Sequence, residues 1–498
     1  MPDKRKTGRE ILSFAGCFLL AGLMGLFFAE TTSPLRPHNE CWDSLIFKAI
    51  GRLWAEGLTP YVDIFDHKGP LLFLIQRLCY SLPLLSPRWW IYLAETLFNG
   101  TTLWLGLRIC RRAGYRGWFR GLLLLLTTVY WAMVVEYGNL CEEYSLPFVM
   151  LSLEAQIRQL QGKNQNHPPR YAFLYGLCFG CVCMIRVNNG LLIAVLTLFI
   201  ALRLIHERRW KNLLCNAGAI LAGFLLAVLP FLVYFGVKHA LPEMLYAVWT
   251  YNFGYLKNGR QTMSLSALRQ SLHLLPPIAL CLGAGILHLF RKRWMAAACG
   301  LGAGLATAYI CLAGYEFTHY FMMAIPLFAL GFALLRVGEE RWMNTLRRGV
   351  ALLLIPCVVY PALRALPQKR VLPETTAEAE QYESFMTASR ELVDLIPVED
   401  RDHVSVYGYS SDLRLFLWTE LQPVGRYCFL QAMTAEDDPE IGAYITRFYQ
   451  SREAAYLIQN AAVDFLPEWG EAVRQGYEVI AQVEGPAETW LLYRRVEE

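Results

Sequence analysis

Apolar runs near the length of a bilayer crossing recur along residues 10–366, and they restrict the fold more than any other feature. A hydrocarbon core of roughly 30 Å takes about 20 helical residues to cross. The runs lie at 10–29, 89–109, 118–136, 144–160, 171–186, 188–206, 213–236, 274–290, 294–314, 319–335 and 349–366. They predict an α-helical polytopic membrane protein with about eleven spanning helices. The first run follows Lys4-Arg5-Lys6 as a signal peptide would, but it is too long for one. Glu30 to Pro37 offers no small-residue cleavage pattern, so the run is expected to stay as the first helix.

Charge divides the chain. Residues 1–366 carry a net +17 and residues 367–498 a net −13, so a basic apolar body precedes an acidic tail. Neither part has the concentrated Lys/Arg stripe of a nucleic-acid surface. Short-loop Lys/Arg bias sets orientation. With a cytoplasmic N-terminus the inner loops contain Arg111, Arg112 and Arg116; Arg158, Lys163 and Arg170; Arg208, Arg209 and Lys211; Arg291, Lys292 and Arg293; and Arg341, Arg347 and Arg348. The short outer loops near 137–143 and 315–318 have neither Lys nor Arg. An odd number of crossings then places the tail outside the cytoplasm. Most of the 14 cysteines, such as Cys17, Cys178, Cys181, Cys183, Cys281, Cys299 and Cys311, lie within apolar runs and read as small hydrophobes.

Two outer loops are long, 30–88 and 237–273. In the first, apolar residues from Leu45 to Trp54 fall on one helical face, opposite Ser44, Lys48, Arg52 and Glu56, and Gly57 ends the pattern. That suits a helix lying in the membrane interface. A second apolar stretch opens at Pro70, a favoured first helical position, and runs to about Leu85. The tail predicts a small α/β domain. It has a strand at His403–Gly408, helices at Ser411–Glu420 and Pro439–Asn460, and a hairpin of Tyr477–Val483 with Thr489–Arg494. The domains are thus 1–366, membrane-embedded, and 367–498, an extracytoplasmic accessory without catalytic residues.

Polar residues gather on the predicted outer side. Asp43 precedes the first interfacial helix, and Asp63, Asp66, His67 and Lys68 precede the second. The next loop holds Glu136 to Tyr144, with Glu142 and Glu143. Arg186, Asn188 and Asn189 lie where two runs meet, and His319 and Tyr320 open a later one. Such groups are costly at membrane depth and mark sites or pathways. Each also has a plain structural reading. Asp43 is suited to an N-cap, Lys68 to snorkelling, Glu142 and Glu143 to a solvated loop, and His319 to a structural hydrogen bond.

The stretch Gly57-x-x-Pro60-Tyr61-x-Asp63-x-Phe65-Asp66-His67-Lys68-Gly69-Pro70-Leu71, after an acidic residue and an amphipathic helix, resembles the GT-C membrane glycosyltransferases. The similar branch holds protein mannosyltransferases, the aminoarabinose transferase and rhizobial galacturonosyltransferases. Asp43-Ser44 stands where an Asp-Glu pair is usual, and Lys68-Gly69-Pro70-Leu71 replaces Lys-Pro-Pro-Leu. Gly138 to Tyr144, Ile185 to Asn189 and His319 to Phe321 also look like a bacterial subfamily of this group.

The resemblance implies an integral membrane glycosyltransferase taking a sugar from a polyprenyl-phosphate donor, with inversion. The acceptor would be a glycolipid, a wall polymer or a protein. Asp43 is the expected general base, and Lys68 and Arg186 the cations for the lipid phosphate. Asp66, His67, Asn188, Asn189, His319 and Tyr320 are expected around the substrates. A divalent metal ion, where one is used, would be held by Glu142 or Glu143, and no other cofactor is implied. The competing reading is a transporter or flippase of polyprenyl-linked glycans, which would call for midplane polar groups and internal repeats. Neither is evident in the sequence.

Overall fold

The computed structural model describes residues 4–161, 166–252, 254, 269–312, 317–337, 341–408 and 413–496. Lys163, most of the loop stretch 253–268, part of 315–318 and Ser411 lie outside the described residues. The chain divides into two compact units that do not follow chain order. One comprises Met1–Pro34, Ile91–Val233 and Gly259–Val371. The other comprises Leu35–Trp90, Tyr234–Asn258 and Leu372–Glu498, so much of both long outer loops belongs to the same unit as the acidic tail.

Among the described residues a helix occupies most of each predicted apolar run, some ending a few residues short of it. Among the described residues, six segments are long and apolar enough to cross a membrane: Gly8–Phe28, Val187–His206, Trp210–Val237, Trp294–Leu312, Thr318–Leu335 and Trp342–Lys369. Trp118–Val134 and Pro276–Phe290 are apolar but shorter. Pro87–Arg112 and Cys141–Gln161 contain buried polar groups, including Glu95, Asn99, Glu142, Glu143 and Glu154. Buried carboxylates inside these helices lower their hydropathy without making them solvent-exposed. The last predicted run extends in both directions, as the helix Arg341–Lys369.

Close helix contact in the first unit rests on small residues, as expected where lipid supplies no hydrophobic drive between helices. A β-carbon on Gly176 would lie 1.9 Å from the Ile220 carbonyl oxygen, and one on Gly223 would lie 2.0 Å from that of Phe173. Helices Pro169–Cys183 and Trp210–Val237 therefore meet backbone to backbone. Ile325–Leu335 is buried along its whole length and forms the centre of this unit.

In the second unit, helices Trp42–Ala55 and Pro70–Ser81 appear where the periodicity places them. Ser44 and Lys48, on the predicted polar face, are buried rather than solvated. The helices cross at Gly51, where a β-carbon would meet Gln76 Cβ at 2.3 Å. The tail forms a four-stranded sheet, β1 (Val404–Tyr407), β2 (Tyr456–Asn460), β3 (Tyr477–Glu484) and β4 (Thr489–Arg495), in the order β1-β2-β4-β3. β1 and β2 are parallel, and β4 runs antiparallel to both β2 and β3. The predicted hairpin is thus present. The predicted long helix at Pro439–Asn460 is not, because it stops at Gln450 and residues 456–460 become strand β2. Arg452, at φ 54, turns the chain, and the fully buried β2 reads like a helix continuation because it lacks alternation.

Candidate active site

In the second unit the predicted residues Asp43, Asp66, His67 and Lys68 come together around one loop. Asp43 lies in the first turn of helix Trp42–Ala55, while Cys41 occupies the N-cap without a side-chain cap bond. Asp43 is therefore not the cap, and its negative charge is placed at the positive end of the helix dipole. It is half-buried. Asp66 is only 5% exposed. Its Oδ1 accepts from the Lys68 amide at 2.8 Å, and its Oδ2 lies 3.5 Å from Lys68 Nζ. Burial pushes the Asp66 carboxyl upward and the charge of Asp43 adds to that, while Lys68 opposes it.

The loop that carries this group is held tightly. Tyr61 is fully buried with a left-handed backbone, φ 73, an unusual state for an aromatic residue. Its hydroxyl donates to the Lys68 carbonyl at 2.8 Å, and its amide donates to the Ile64 carbonyl at 2.8 Å. Asn252 donates to the His67 carbonyl at 2.9 Å, and Tyr251 packs 5.5 Å from the His67 ring. The Phe65 amide donates to the Arg426 carbonyl at 2.8 Å, tying the loop to the tail. Lys68 Nζ also lies over the Phe47 ring at 5.4 Å. Glu40 is engaged by the buried Lys48 at 2.7 Å.

In the first unit a separate polar group forms. Gly138 and Asn139 take left-handed backbones and turn the chain into helix Cys141–Gln161, whose first turn carries Glu142 and Glu143. Arg186 donates to Glu142 at 2.8 Å and to the Tyr320 hydroxyl at 2.8 Å, with its guanidinium 4.5 Å over the Tyr320 ring. Glu143 accepts from Asn99 at 2.8 Å and from the Leu140 amide at 3.1 Å. Glu142 and Glu143 are thus buried helix-start carboxylates and not solvated loop groups. Asn189 donates to Ser145 at 3.1 Å, and Asn188 sits half-buried in the turn Val187–Gly190. His319 Nδ1 meets Glu136 Oε2 at 2.6 Å, and Glu136 Oε1 accepts from the Thr318 amide at 2.8 Å.

Among the described residues no group of three or more His, Cys, Asp or Glu side chains converges as a metal site requires. Glu142 and Glu143 turn oxygens toward Arg186, Asn99 and a backbone amide, and Asp66 faces an ammonium. Glu142 and Asp66 thus face cations of the chain itself, whereas Glu143 faces an amide, a backbone N–H and the neighbouring carboxyl of Glu95.

Sequence reasoning missed several members. Glu95 accepts from Thr32 at 2.5 Å and is 2% exposed; a carboxylate inside an apolar run was the available signal. Lys369, assigned to the tail from sequence, donates to the Met133 and Val135 carbonyls at 2.5 and 2.9 Å. Nothing local marks that residue, since its partners are more than 230 positions away.

No protein-family model matches this sequence, and no curated protein matches it. Solved structures do. ArnT from Cupriavidus metallidurans, bound to undecaprenyl phosphate, aligns over 99% of this chain and 99% of its own, with a TM-score of 0.53 and 14% identity. The oligosaccharyltransferase of Archaeoglobus fulgidus in its apo form aligns over 90% of this chain and 69% of its own, with a TM-score of 0.53 and 11% identity. The archaeal oligosaccharyltransferase AglB from the same organism, in complex with an inhibitory peptide and a dolichol-phosphate, aligns over 99% and 75%, with a TM-score of 0.51 and 13% identity. Both proteins belong to the GT-C superfamily. The chain has the GT-C fold, that of a polytopic α-helical membrane protein, with a small C-terminal sheet.

Proposed function

We propose that the chain is an integral membrane glycosyltransferase that moves a sugar from a polyprenyl-phosphate donor to an acceptor hydroxyl on the extracytoplasmic face. The observation that carries this reading is the Asp43, Asp66 and Lys68 group in a chain of GT-C fold. Supporting it, the structures that share the fold hold undecaprenyl phosphate in one case and a dolichol-phosphate in another. The Lys/Arg bias of the inner loops supports the outward orientation.

In the proposed step the acceptor oxygen attacks the anomeric carbon and its proton passes to Asp43. The bond from that carbon to the phosphate oxygen breaks, and its electron pair leaves with the polyprenyl phosphate. One displacement inverts the anomeric carbon. Asp43 suits the base role better than Asp66, because it is half-buried while Asp66 is enclosed and bound by Lys68 through both oxygens. Base catalysis of this kind contributes roughly 10²- to 10⁴-fold.

Lys68 is the cation for the leaving phosphate. Its ammonium lies 3.5 Å from Asp66, longer than a tight charge-assisted bond. Fixed cations of this kind stabilise the charge that develops on the leaving group. Arg186 makes its bonds to Glu142 and Tyr320, and its role is to hold those side chains in place.

The test is incubation of purified protein with a panel of polyprenyl-phosphate sugars, measuring release of free polyprenyl phosphate. Release by wild type, lowered in Lys68→Ala without loss of expression or insertion, is the expected result. No release with any donor would sink the reading.

A further inference from the structure

Within the second unit a cavity of about 210 Å³ opens beside the segment that leads to Asp43. Its walls come from four places in the chain. The first outer loop supplies His38, Asn39 and Glu40, and helix Thr376–Asp394 supplies Gln381 and Tyr382. Helix Leu413–Trp418 and the β3–β4 turn close it with Trp418 and Glu488. We propose that this cavity is a binding site for one sugar ring, the ring that carries or adjoins the acceptor hydroxyl.

The lining is chemically suited to that ligand. Tyr382 stacks on His38 at 3.8 Å, and Trp418 meets Tyr382 edge-on at 5.1 Å and 81°. Aromatic faces of this kind carry negative charge density that attracts the polarised C–H face of a sugar ring. Around them stand carboxylates fixed in place by the chain. Glu374 accepts from His38 Nδ1 at 2.9 Å, Glu40 from Lys48 at 2.7 Å, and Glu488 from Asn460 at 3.0 Å and from Arg414. A carboxylate has about four lone-pair positions, so each of these keeps acceptor capacity after its internal bond is made. Hydroxyl groups are the donors that match such an array. The Gln381 amide, exposed at the rim, offers both a donor and an acceptor.

Other ligands fit less well. A phosphate would meet several carboxylates, and Arg36 and Arg414 already engage Glu378 and Glu488. A lipid tail would desolvate those same groups at high cost. The volume is below the roughly 300–1,000 Å³ of sites for drug-sized molecules, which favours a single ring over a longer chain. Glu40 lies three residues before Asp43, so the two are separated by at most about 11 Å along the chain. A ring seated against Glu40 is therefore near the proposed base.

Naming this ring as the acceptor rests on the transferase reading, whereas saccharide binding itself does not. Binding is measured on the full-length protein in lipid nanodiscs without donor, by quenching of tryptophan fluorescence. The probes are free oligosaccharides, a glycolipid with the same saccharide head, inorganic phosphate and a short peptide. Saturable binding of the saccharides is expected, weakened about tenfold in Gln381→Ala and in Trp418→Leu, the scale of a lost hydrogen bond or ring contact. A second readout, hydrogen exchange over residues 374–390, reports occupancy where the Trp418 signal is removed. The control Glu471→Gln, at an exposed position of helix Pro467–Gly476 in the tail, should leave binding at the wild-type value. Free saccharide binding as well as the glycolipid assigns recognition to the ring; glycolipid binding alone, phosphate or peptide binding in place of saccharide, or saccharide binding untouched by both substitutions would overturn the proposal. Saccharide binding with no turnover of any donor would sink the transferase reading and leave the cavity assignment standing.

Discussion

The negative charge of Asp43, in the first turn of its helix, acts directly on the buried carboxyl of Asp66. The two carboxyls differ in environment: Asp66 is enclosed and engages Lys68 through both oxygens, whereas Asp43 is half-buried, and on the proposed reading it is Asp43 that meets the substrate.

Asp43→Asn separates chemistry from helix stability. Cys41, not Asp43, occupies the N-cap, so the substitution removes a first-turn charge and leaves the cap position unchanged. The stability change should be about 0.3–1 kcal/mol. Transfer should fall by about two orders of magnitude or more, the scale of lost base catalysis. Thermal melting and donor turnover on the same preparation check this, and full activity would reassign the base.

Asp66 gives a pH signature with a defined sign. Its carboxyl is held above the ordinary aspartate range, chiefly by burial. The unfolded chain therefore releases this proton at lower pH than the folded one does. As pH rises from the ordinary value to the raised one, the folded state binds more protons and loses stability, and the loss is complete above the raised value. Asp66→Asn should flatten this part of the melting-temperature profile. A profile identical to wild type across mildly acidic pH would show that Asp66 does not titrate in that window.

Much of this was readable locally. The helix periods at Trp42–Ala55 and Pro70–Ser81 and the Asp66 to Lys68 turn depend on near neighbours in the chain. The capping-box residues Thr375 and Glu378 likewise announce helix Thr376–Asp394, a signal that composition of the acidic tail obscured. Glu136 and His319 pair across 183 positions, and no local pattern carries that information. β2 reads as helix in the sequence because a strand buried on both faces has no alternation to distinguish it. The grouping of the outer loops with the tail was also hidden, since it depends on bonds such as Phe65 to Arg426.

The buried Lys48–Glu40 pair should be structural. Burial holds the Lys48 ammonium below its ordinary value, against the pull of Glu40. Removing one partner of such a pair typically costs about 3–5 kcal/mol. Lys48→Ala should lower the melting temperature of the second unit, read by differential scanning fluorimetry of purified protein. An unchanged melt would mean that water reaches Glu40 readily.

Gly176 tests the helix contact. With a β-carbon only 1.9 Å from the Ile220 carbonyl, even alanine forces the helices apart. Gly176→Ala should destabilise by about 1–3 kcal/mol, the usual cost of overpacking. Gly218→Ala, on the same partner helix where a β-carbon meets nothing within 4 Å, should not. Equal melting temperatures for both variants would rule out the close crossing.

Truncation after Val371 bears on what the tail is for. The sequence suggested an accessory whose removal would spare donor turnover. In the structure the tail is built into the compact unit that carries Asp43 and Lys68. The Arg426 carbonyl holds the Phe65 amide at 2.8 Å, and the Phe416 carbonyl accepts from Arg52 at 2.5 Å. Tyr246 donates to Asp438, and helix Leu413–Trp418 packs on helix Trp42–Ala55. Losing the tail leaves the Phe65 amide and the Arg52 guanidinium without these acceptors, and uncovers the buried Phe65 ring, which packs on Tyr427. Each orphaned polar group costs about 1–3 kcal/mol where water cannot replace the partner. The truncated protein should insert but show rapid protease cleavage within residues 57–69, together with loss of donor turnover. Arg426→Ala keeps the backbone carbonyl that Phe65 uses, so it should retain loop protection and serves as the control. A truncated protein with a protected loop and wild-type turnover would return the tail to the role of a dispensable accessory.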